Sequence, residues 1–275
     1  MNDLEKIIRN ELINFNGKVS IYANDFKGNI LDINSDEVFD SASCIKVYIL
    51  VEFFKQVYYG KKNLNDILKY EKENYTNGSG ILQYLSEGLE LKSIDIATLM
   101  MIISDNVATN IMIDYLGIDN INNTIKELNC NDTKIFSKFG STKGRPFSVT
   151  SAKDYAHIFE LINNEKLWDK SISKHIIDIL KNQKYHEMLG DGIPEIYRKV
   201  DNEFVNYVIS KSGKHKSIRN DGGIVSTKYG NYILIIFIKE FLDQDSLNNE
   251  EIYSYGRNIS NIIFNRYIAL KGKFE

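Results

Sequence analysis

The chain has 275 residues, 43% of them hydrophobic and 26% charged, as in a soluble globular protein with a substantial core. Its length suits one large domain or two closely packed lobes. The formal net charge of −3 excludes an overall basic surface, so neither nucleic acid nor an anionic membrane is an expected partner.

Strand patterns lie at both ends of the chain, and helical patterns lie between them. The apolar spacing in residues 3–14 predicts a surface helix, and residues 18–25 and 28–34 predict a hairpin with its turn at "FKG". Three β-rich stretches follow at 204–213, 222–228 and 231–241, and residues 250–270 have the spacing of a closing helix. Residues 43–195 are mostly helical in pattern.

This distribution predicts an α/β protein of the α+β type. Both chain ends are expected to form one antiparallel sheet with flanking helices, and the helical middle an inserted second lobe. We therefore expect a single domain over residues 1–275, with a sheet lobe at about 1–42 and 200–275 and a helical lobe at about 43–199. A cleft between the lobes is the expected place for a functional site.

The chain carries few signals for other kinds of site. Cys44 and Cys130 do not form a CxxC pair, so we expect reduced thiols, with a single disulfide left open. No glycine-rich phosphate loop or metal-ligand cluster occurs, which predicts neither cofactor nor metal. No apolar stretch is long enough for a membrane span, and we expect a monomer. The amphipathic N-terminus is not a signal peptide, which leaves open a cytosolic protein or the mature form of an exported one.

The segment "FDSASCIKVYIL" places a serine and a lysine at the start of an apolar helical run. Ser43 precedes the predicted helix, and Lys46 lies one turn further on the same face. A serine becomes a nucleophile when a base takes its proton, and a lysine with a lowered pKa can be that base. The alternative is a helix-capping serine followed by an exposed lysine. A second SxxK pattern, from Ser171 to Lys174, lies in a polar setting without further signals.

Two more polar groups interrupt apolar stretches. Ser104, Asp105 and Asn106 form a polar island that must either cap a break between helices or face a cleft, because unpaired buried polar groups are costly. Lys211, Ser212 and Gly213 end an apolar strand, where they predict either a pocket edge or a simple turn.

The three patterns S-x-x-K, S-D-N and K-[ST]-G occur here in the order and spacing typical of one enzyme family. The chain resembles the class A serine β-lactamases and the related penicillin-binding peptidases. Connecting segments are similar as well, namely "GSGIL" at 78–82, "VTSAKDYAHIF" at 149–159 and "RNDGGIV" at 219–225. The resemblance covers roughly residues 1–270.

The resemblance implies a role for each motif residue. Ser43 would be the acylated nucleophile, Lys46 its proton acceptor and Ser104 a proton relay to the leaving nitrogen. Asn106 would orient the substrate and Lys46. On the strand, Lys211 would supply positive field, Ser212 and Gly213 would contact the substrate, and the backbone N–H groups of Ser43 and Lys214 would form the oxyanion hole. Arg219 would be a second anchor for a substrate carboxylate or else an ordinary exposed arginine.

One family feature is missing. The resemblance implies a glutamate, just before "TSA", that activates the deacylating water. Residues 133–153, "TKIFSKFGSTKGRPFSVTSAK", contain no Asp or Glu and carry Lys134, Lys138, Lys143, Arg145 and Lys153. Either an unidentified carboxylate acts, or Lys46 serves both half-reactions, or the acyl-enzyme persists.

We therefore expect a serine hydrolase that acylates Ser43 and hydrolyses a β-lactam amide, with slow deacylation. The alternative is a sensor-like protein that binds β-lactams or peptidoglycan fragments with little turnover, or an esterase or peptidase relative. The partner expected in either case is a small β-lactam or related acyl compound.

Overall fold

The computed structural model describes residues 3–141, 146–198, 204–241 and 249–269. These residues form two compact units. The first draws on the segments Met1–Phe39, Ser151–Phe159 and His186–Glu275, and the second on Asp40–Thr150 and Glu160–Tyr185.

The described residues contain eleven strands and nine α-helices. The strands are β1 (Lys18–Asn24), β2 (Ile30–Ile33), β3 (Val38–Asp40), β4 (Ile67–Lys69), β5 (Glu90–Lys92), β6 (Lys134–Ile135), β7 (Ser148–Ser151), β8 (Val205–Ser210), β9 (Gly213–His215), β10 (Ile218–Thr227) and β11 (Gly230–Lys239). The helices are α1 (Asp3–Glu11), α2 (Lys46–Tyr58), α3 (Ser93–Ile102), α4 (Asn106–Leu116), α5 (Ile118–Glu127), α6 (Ala152–Asn163), α7 (Lys170–Leu180), α8 (Glu195–Arg198) and α9 (Asn249–Phe264).

The first unit is built on one antiparallel sheet from both chain ends. Its strand order is β2-β1-β11-β10-β8, and β9 pairs with β10. Because side chains alternate along a strand, one face carries an apolar row that includes Ile21 and its cross-strand partner Ile236. This row forms a core with Leu4 and Ile8 of α1 and with Ile259 of α9. The predicted fold class is thereby confirmed.

The two terminal helices differ from their predicted bounds. Helix α1 ends at Glu11 rather than residue 14, and Ile13, an apolar residue of the predicted helix, is 76% exposed. Helix α9 ends at Phe264 and continues as a π-helical turn over Asn265–Ala269, while residue 270 lies outside the described residues. The apolar spacing alone did not indicate where either helix ends.

A buried carboxyl group ties the sheet to the segment before α8. Asp221 on β10 is fully buried and accepts backbone N–H bonds from Met188 at 2.9 Å, Leu189 at 2.8 Å and Gly222 at 2.9 Å. Burial raises the pKa of the Asp221 carboxyl from 3.8 to about 6, although these backbone donors oppose the rise.

Because the folded pKa is raised, the folded protein binds the Asp221 proton more tightly than the unfolded chain. The stabilising contribution of this group is fully present below the unfolded pKa and is lost as the pH rises through about 6. We expect the free energy of unfolding of the wild type, relative to Asp221→Asn, to fall by about 3 kcal/mol from about pH 4 to about pH 7. Urea unfolding of both proteins across this pH range measures the difference. Parallel curves of the free energy of unfolding against pH would contradict the prediction.

The second unit is organised around α2. From Lys46 to Phe54 every residue of this helix is buried, as expected of a helical run that is apolar nearly all round. Helices α3, α4, α5 and α7 pack around it. Cys44 and Cys130 form no disulfide with each other, and both are buried.

Candidate active site

Ser43 lies in a 3₁₀ turn, Ala42–Ile45, that leads into α2. Ala42 has a φ of 44°, a left-handed conformation that costs energy for a residue with a Cβ, and its N–H bonds to Asp40 Oδ1 at 2.8 Å. Helix α2 has Ile45 as its N-cap and no side-chain cap, so the alternative of a capping Ser43 is wrong. Ser43 is instead half-buried at a strained turn.

The Lys46 side chain is held by the S-D-N segment. Lys46 is 0% exposed, so the alternative of an exposed lysine is also wrong. Its Nζ donates to the Ser104 carbonyl at 2.7 Å, to Ser104 Oγ at 3.0 Å and to Asn106 Oδ1 at 2.9 Å. The Lys46 backbone N–H also bonds to the Ser43 carbonyl. The second unit therefore brings together Lys46, Ser104 and Asn106, with Ser43 one turn away.

The S-D-N segment makes the break between helices that its polarity predicts. Helix α3 ends at Ile102, Ser104 has a φ of 56°, and α4 begins at Asn106. Asp105 is the N-cap of α4, with Oδ1 accepting the Ala108 N–H at 2.9 Å. This buried carboxylate fixes the turn that presents Ser104.

The "GSGIL" segment is hydrogen-bonded to the S-D-N segment. Asp105 Oδ2 accepts the N–H groups of Ile81 at 2.7 Å and Leu82 at 2.9 Å, and the Asn106 N–H bonds to the Ser79 carbonyl at 3.0 Å. A Cβ on Gly80 would lie 2.2 Å from the Asp105 carboxyl carbon, so the backbone approaches too closely for a side chain.

Gly80→Ala is expected to destabilise the protein far more than Gly28→Ala. Both glycines have a positive φ, +102° and +99°, but nothing lies within 4 Å of a Cβ on Gly28. The control should therefore cost about 1–2 kcal/mol of backbone strain, and Gly80→Ala at least about 2 kcal/mol more from the clash. Chemical denaturation of both variants measures the difference, and equal losses would show that Gly80 does not pack as described.

The loop before β7 covers the lysine. The Phe139 ring lies with its centroid 4.8 Å from Lys46 Nζ. Its backbone is held by Asn110 of α4, whose Oδ1 accepts the Phe139 N–H at 2.9 Å and whose Nδ2 donates to the Phe139 carbonyl at 3.2 Å. Of the basic residues noted in the sequence, Lys138 pairs with Asp114 at 2.7 Å and Lys153 with Asp36 at 2.8 Å, while Lys143 and Arg145 lie outside the described residues.

The K-S-G motif belongs to the first unit. Lys211 is buried, its N–H bonds to the Gly222 carbonyl at 3.1 Å, and its carbonyl accepts the Tyr155 hydroxyl at 2.8 Å. Its Nζ donates to the Ser212 carbonyl at 2.6 Å. Gly213 begins β9, so the motif joins two strands on β10 rather than forming a free turn.

The two flanking cations of this unit differ in exposure. The Lys214 side chain is 58% exposed and pairs with Glu187 at 2.9 Å. Arg219 is only 6% exposed, donates to the carbonyls of Lys216 and Ile218, and packs beside the rings of Phe241 and Tyr253. The alternative of an exposed arginine is wrong, and these contacts favour a structural role for Arg219.

A family model described as the β-lactamase enzyme family matches residues 3–267. The chain belongs to the β-lactamase enzyme family. This β-lactamase-family chain is similar in structure to PBP-A, with a TM-score of 0.85 at 24% identity over 97% of this chain and 96% of that one. A variant of PBP-A was solved as its acyl-enzyme complex with penicillin G.

Other similar structures carry the β-lactamase name. The β-lactamase of Sphaerobacter thermophilus has a TM-score of 0.86 at 22% identity, with 96% of each chain covered. A variant of the last common ancestor of Gram-negative bacteria class A β-lactamase has a TM-score of 0.82 at 17% identity, over 96% of this chain and 97% of that one. These likenesses show a shared fold, and the class A resemblance is confirmed. No curated protein is significantly similar in sequence.

Sequence patterns missed two residues beside the cluster of Lys46, Ser104 and Asn106, namely Asn110 and Phe139. Asn110 lies one helical turn after Asn106, and this spacing was an available signal. Phe139 gave none. The second SxxK pattern lies on α7, where Ser171 and Lys174 are exposed.

The described residues offer neither a metal site nor a membrane span. None of their helices combines the length and apolar character needed to cross a bilayer. In the same part of the chain, no group of three His, Cys, Asp or Glu side chains could hold a metal ion.

Proposed function

We propose that the protein is a serine hydrolase that is acylated at Ser43 by a β-lactam amide and releases the acyl group slowly. The observation that carries the proposal is the fully buried Lys46, one turn after Ser43, with Nζ bonded to both Ser104 and Asn106. A lysine with only a structural role at this position would have to be buried with its charge, which costs free energy. The acyl-enzyme that a PBP-A variant forms with penicillin G supports the choice of substrate.

In this proposal, acylation takes place with two proton transfers. Neutral Lys46 takes the Ser43 hydroxyl proton as Oγ attacks the carbonyl carbon of the lactam. The C–N bond then breaks, and the nitrogen receives a proton through the Ser104 hydroxyl, which lies 3.0 Å from Lys46 Nζ. A hydroxyl both donates and accepts, so Ser104 can pass on a proton as it receives one from Lys46. Lys46 ends the step neutral.

The remaining roles are part of the proposal by resemblance. Lys211 supplies positive field, Ser212 bonds a substrate carboxylate and Gly213 leaves room for the substrate. The backbone N–H groups of Ser43 and Lys214 stabilise the oxyanion, and such donors each contribute on the order of 3 kcal/mol to the transition state.

Slow release follows from the loop before β7. Residues 133–153 contain no carboxylate to activate water, and Phe139 lies against Lys46. This favours a second candidate function, a sensor-like protein that captures a β-lactam or a peptidoglycan fragment with little turnover. An esterase or peptidase relative would instead release its acyl group readily from esters or peptides.

The kinetics of a chromogenic cephalosporin test the proposal. We expect a burst of one β-lactam opened per chain, followed by a slow steady rate. A burst without any later turnover would favour the sensor. Absence of both burst and turnover would contradict acylation by a β-lactam.

A further inference from the structure

We propose that the second unit binds a small α-amino acid, such as glycine or alanine, in a cavity between α2 and α5. The cavity has a volume of about 110 Å³. Its lining is mainly polar and includes Glu52, Gln56, Lys61, Asn120 and Asn123. Glu52 lies six residues after Lys46, about 9 Å further along α2, so this cavity is distinct from the cluster around Lys46.

The cavity lining contains a buried carboxylate. Glu52 is only 3% exposed, and its Oε1 accepts a bond from Gln56 Nε2 at 2.6 Å while its Oε2 accepts one from the Thr124 hydroxyl. A carboxylate can accept about four hydrogen bonds, so about two positions remain open on Glu52. Within the described ranges, Glu52 has no ion-pair partner.

The nearby Lys55 does not balance this charge, because Glu127 already pairs with it. Lys55 Nζ also donates to Thr124 Oγ1 at 2.8 Å and lies 4.7 Å from the centroid of the Trp168 ring. A buried carboxylate without a countercharge is costly. An ammonium group that enters the cavity would lower this cost.

Lys61 brings the opposite charge to the same cavity. It is exposed, and its Nζ forms neither a hydrogen bond nor an ion pair in the part of the chain that the structure describes. Its backbone N–H bonds to the Gln56 carbonyl at 2.9 Å, which keeps the residue beside the end of α2. The Lys61 ammonium is therefore available to a carboxylate.

Three amide side chains offer neutral hydrogen bonds. Gln56 Nε2 donates to the Leu116 carbonyl at 3.2 Å and Asn120 Nδ2 donates to it at 2.8 Å, which fixes both amides. The side-chain oxygens of Gln56 and Asn120 bond to none of the described residues, and neither does the Asn123 amide. The oxygens can accept N–H bonds from an ammonium group, and the Asn123 amide can donate to a carboxylate.

Charge and size together define the class of ligand. A simple cation would be repelled by the ammonium groups of Lys55 and Lys61, and a simple anion by the buried Glu52 carboxylate. A molecule that carries both charges meets a partner for each. An internal cavity of about 150 Å³ can hold benzene, so a cavity of about 110 Å³ has room for an amino acid with a small side chain.

Isothermal titration calorimetry of the full chain at about pH 7, with glycine and with alanine, tests the proposal. We expect one saturable site per chain with a Kd of about 1 mM or below. Methylamine has only the ammonium group and acetate only the carboxylate, so each should bind at least about tenfold more weakly. Equal affinity for either fragment would overturn the proposal, and so would the absence of saturable binding by both amino acids.

Two variants locate the bound amino acid. Glu52→Gln keeps the size of the side chain but removes its charge, and it should weaken glycine binding by about 10–100-fold. Lys61→Ala should weaken binding by about fivefold, and it changes an exposed side chain without described contacts, so it remains informative if Glu52→Gln folds poorly.

Lys62→Ala is the matched control for Lys61→Ala. It removes the same charge one position later, where Nζ lies over the Tyr115 ring at 4.1 Å from the centroid. This variant should bind glycine as wild type does. Wild-type affinity in both Glu52→Gln and Lys61→Ala, or equal weakening by Lys61→Ala and Lys62→Ala, would overturn the assignment to this cavity.

Discussion

Ser43→Ala is expected to abolish covalent labelling by penicillin completely. Ser43 Oγ is the only atom of the chain that the proposal places in the acyl bond. Alanine removes it without adding bulk at the strained turn after Ala42. Intact mass after incubation with excess benzylpenicillin should show the unmodified chain alone.

Ser171→Ala is the matched control, because Ser171 begins the other SxxK pattern and lies exposed on α7. It should label at the wild-type rate. An adduct that persists in Ser43→Ala would show that the nucleophile has been assigned to the wrong residue.

Lys46→Ala is expected to slow acylation by about 10²–10⁴-fold, the range usual for loss of a general base. Lys46 Nζ also bonds Ser104 and Asn106, so the variant loses their orientation together with the proton acceptor. Stopped-flow acylation with a chromogenic β-lactam measures the rate, and circular dichroism checks that the fold persists.

Lys174→Ala, the exposed lysine of the second SxxK pattern, should acylate as wild type does. If Lys46→Ala were acylated at the wild-type rate, Lys46 would not be the base. Some other group would then have to accept the Ser43 proton.

The sheet and the buried helix could be predicted because their signals are local. Apolar residues cover nearly all sides of α2, which is typical of a core helix, and the strands of the first unit carry long apolar runs. The S-D-N break was predictable for the same reason, since three polar residues in an apolar stretch must be satisfied by capping or by neighbours. In each case the residues that determine the structural feature lie within a few positions of one another in the sequence.

The cover over Lys46 could not be predicted, because its cause is not local. Asn110 and Phe139 are 29 residues apart, and the bonds run from a side chain to backbone atoms, which any residue type at position 139 would offer. Arg219 is a second example, since the resemblance left open a substrate anchor or an exposed arginine, and the arginine is buried. Its contact with Tyr253 depends on where α9 packs on the sheet, which the sequence pattern did not specify.

The most direct test of slow acyl transfer at Ser43 is a time course of intact mass after one addition of benzylpenicillin and removal of the excess. Proteolytic peptides would locate the added mass. We predict an adduct on the peptide that contains Ser43, which persists for many minutes while hydrolysed penicillin accumulates slowly. An adduct on another residue, or none at all, would contradict the account.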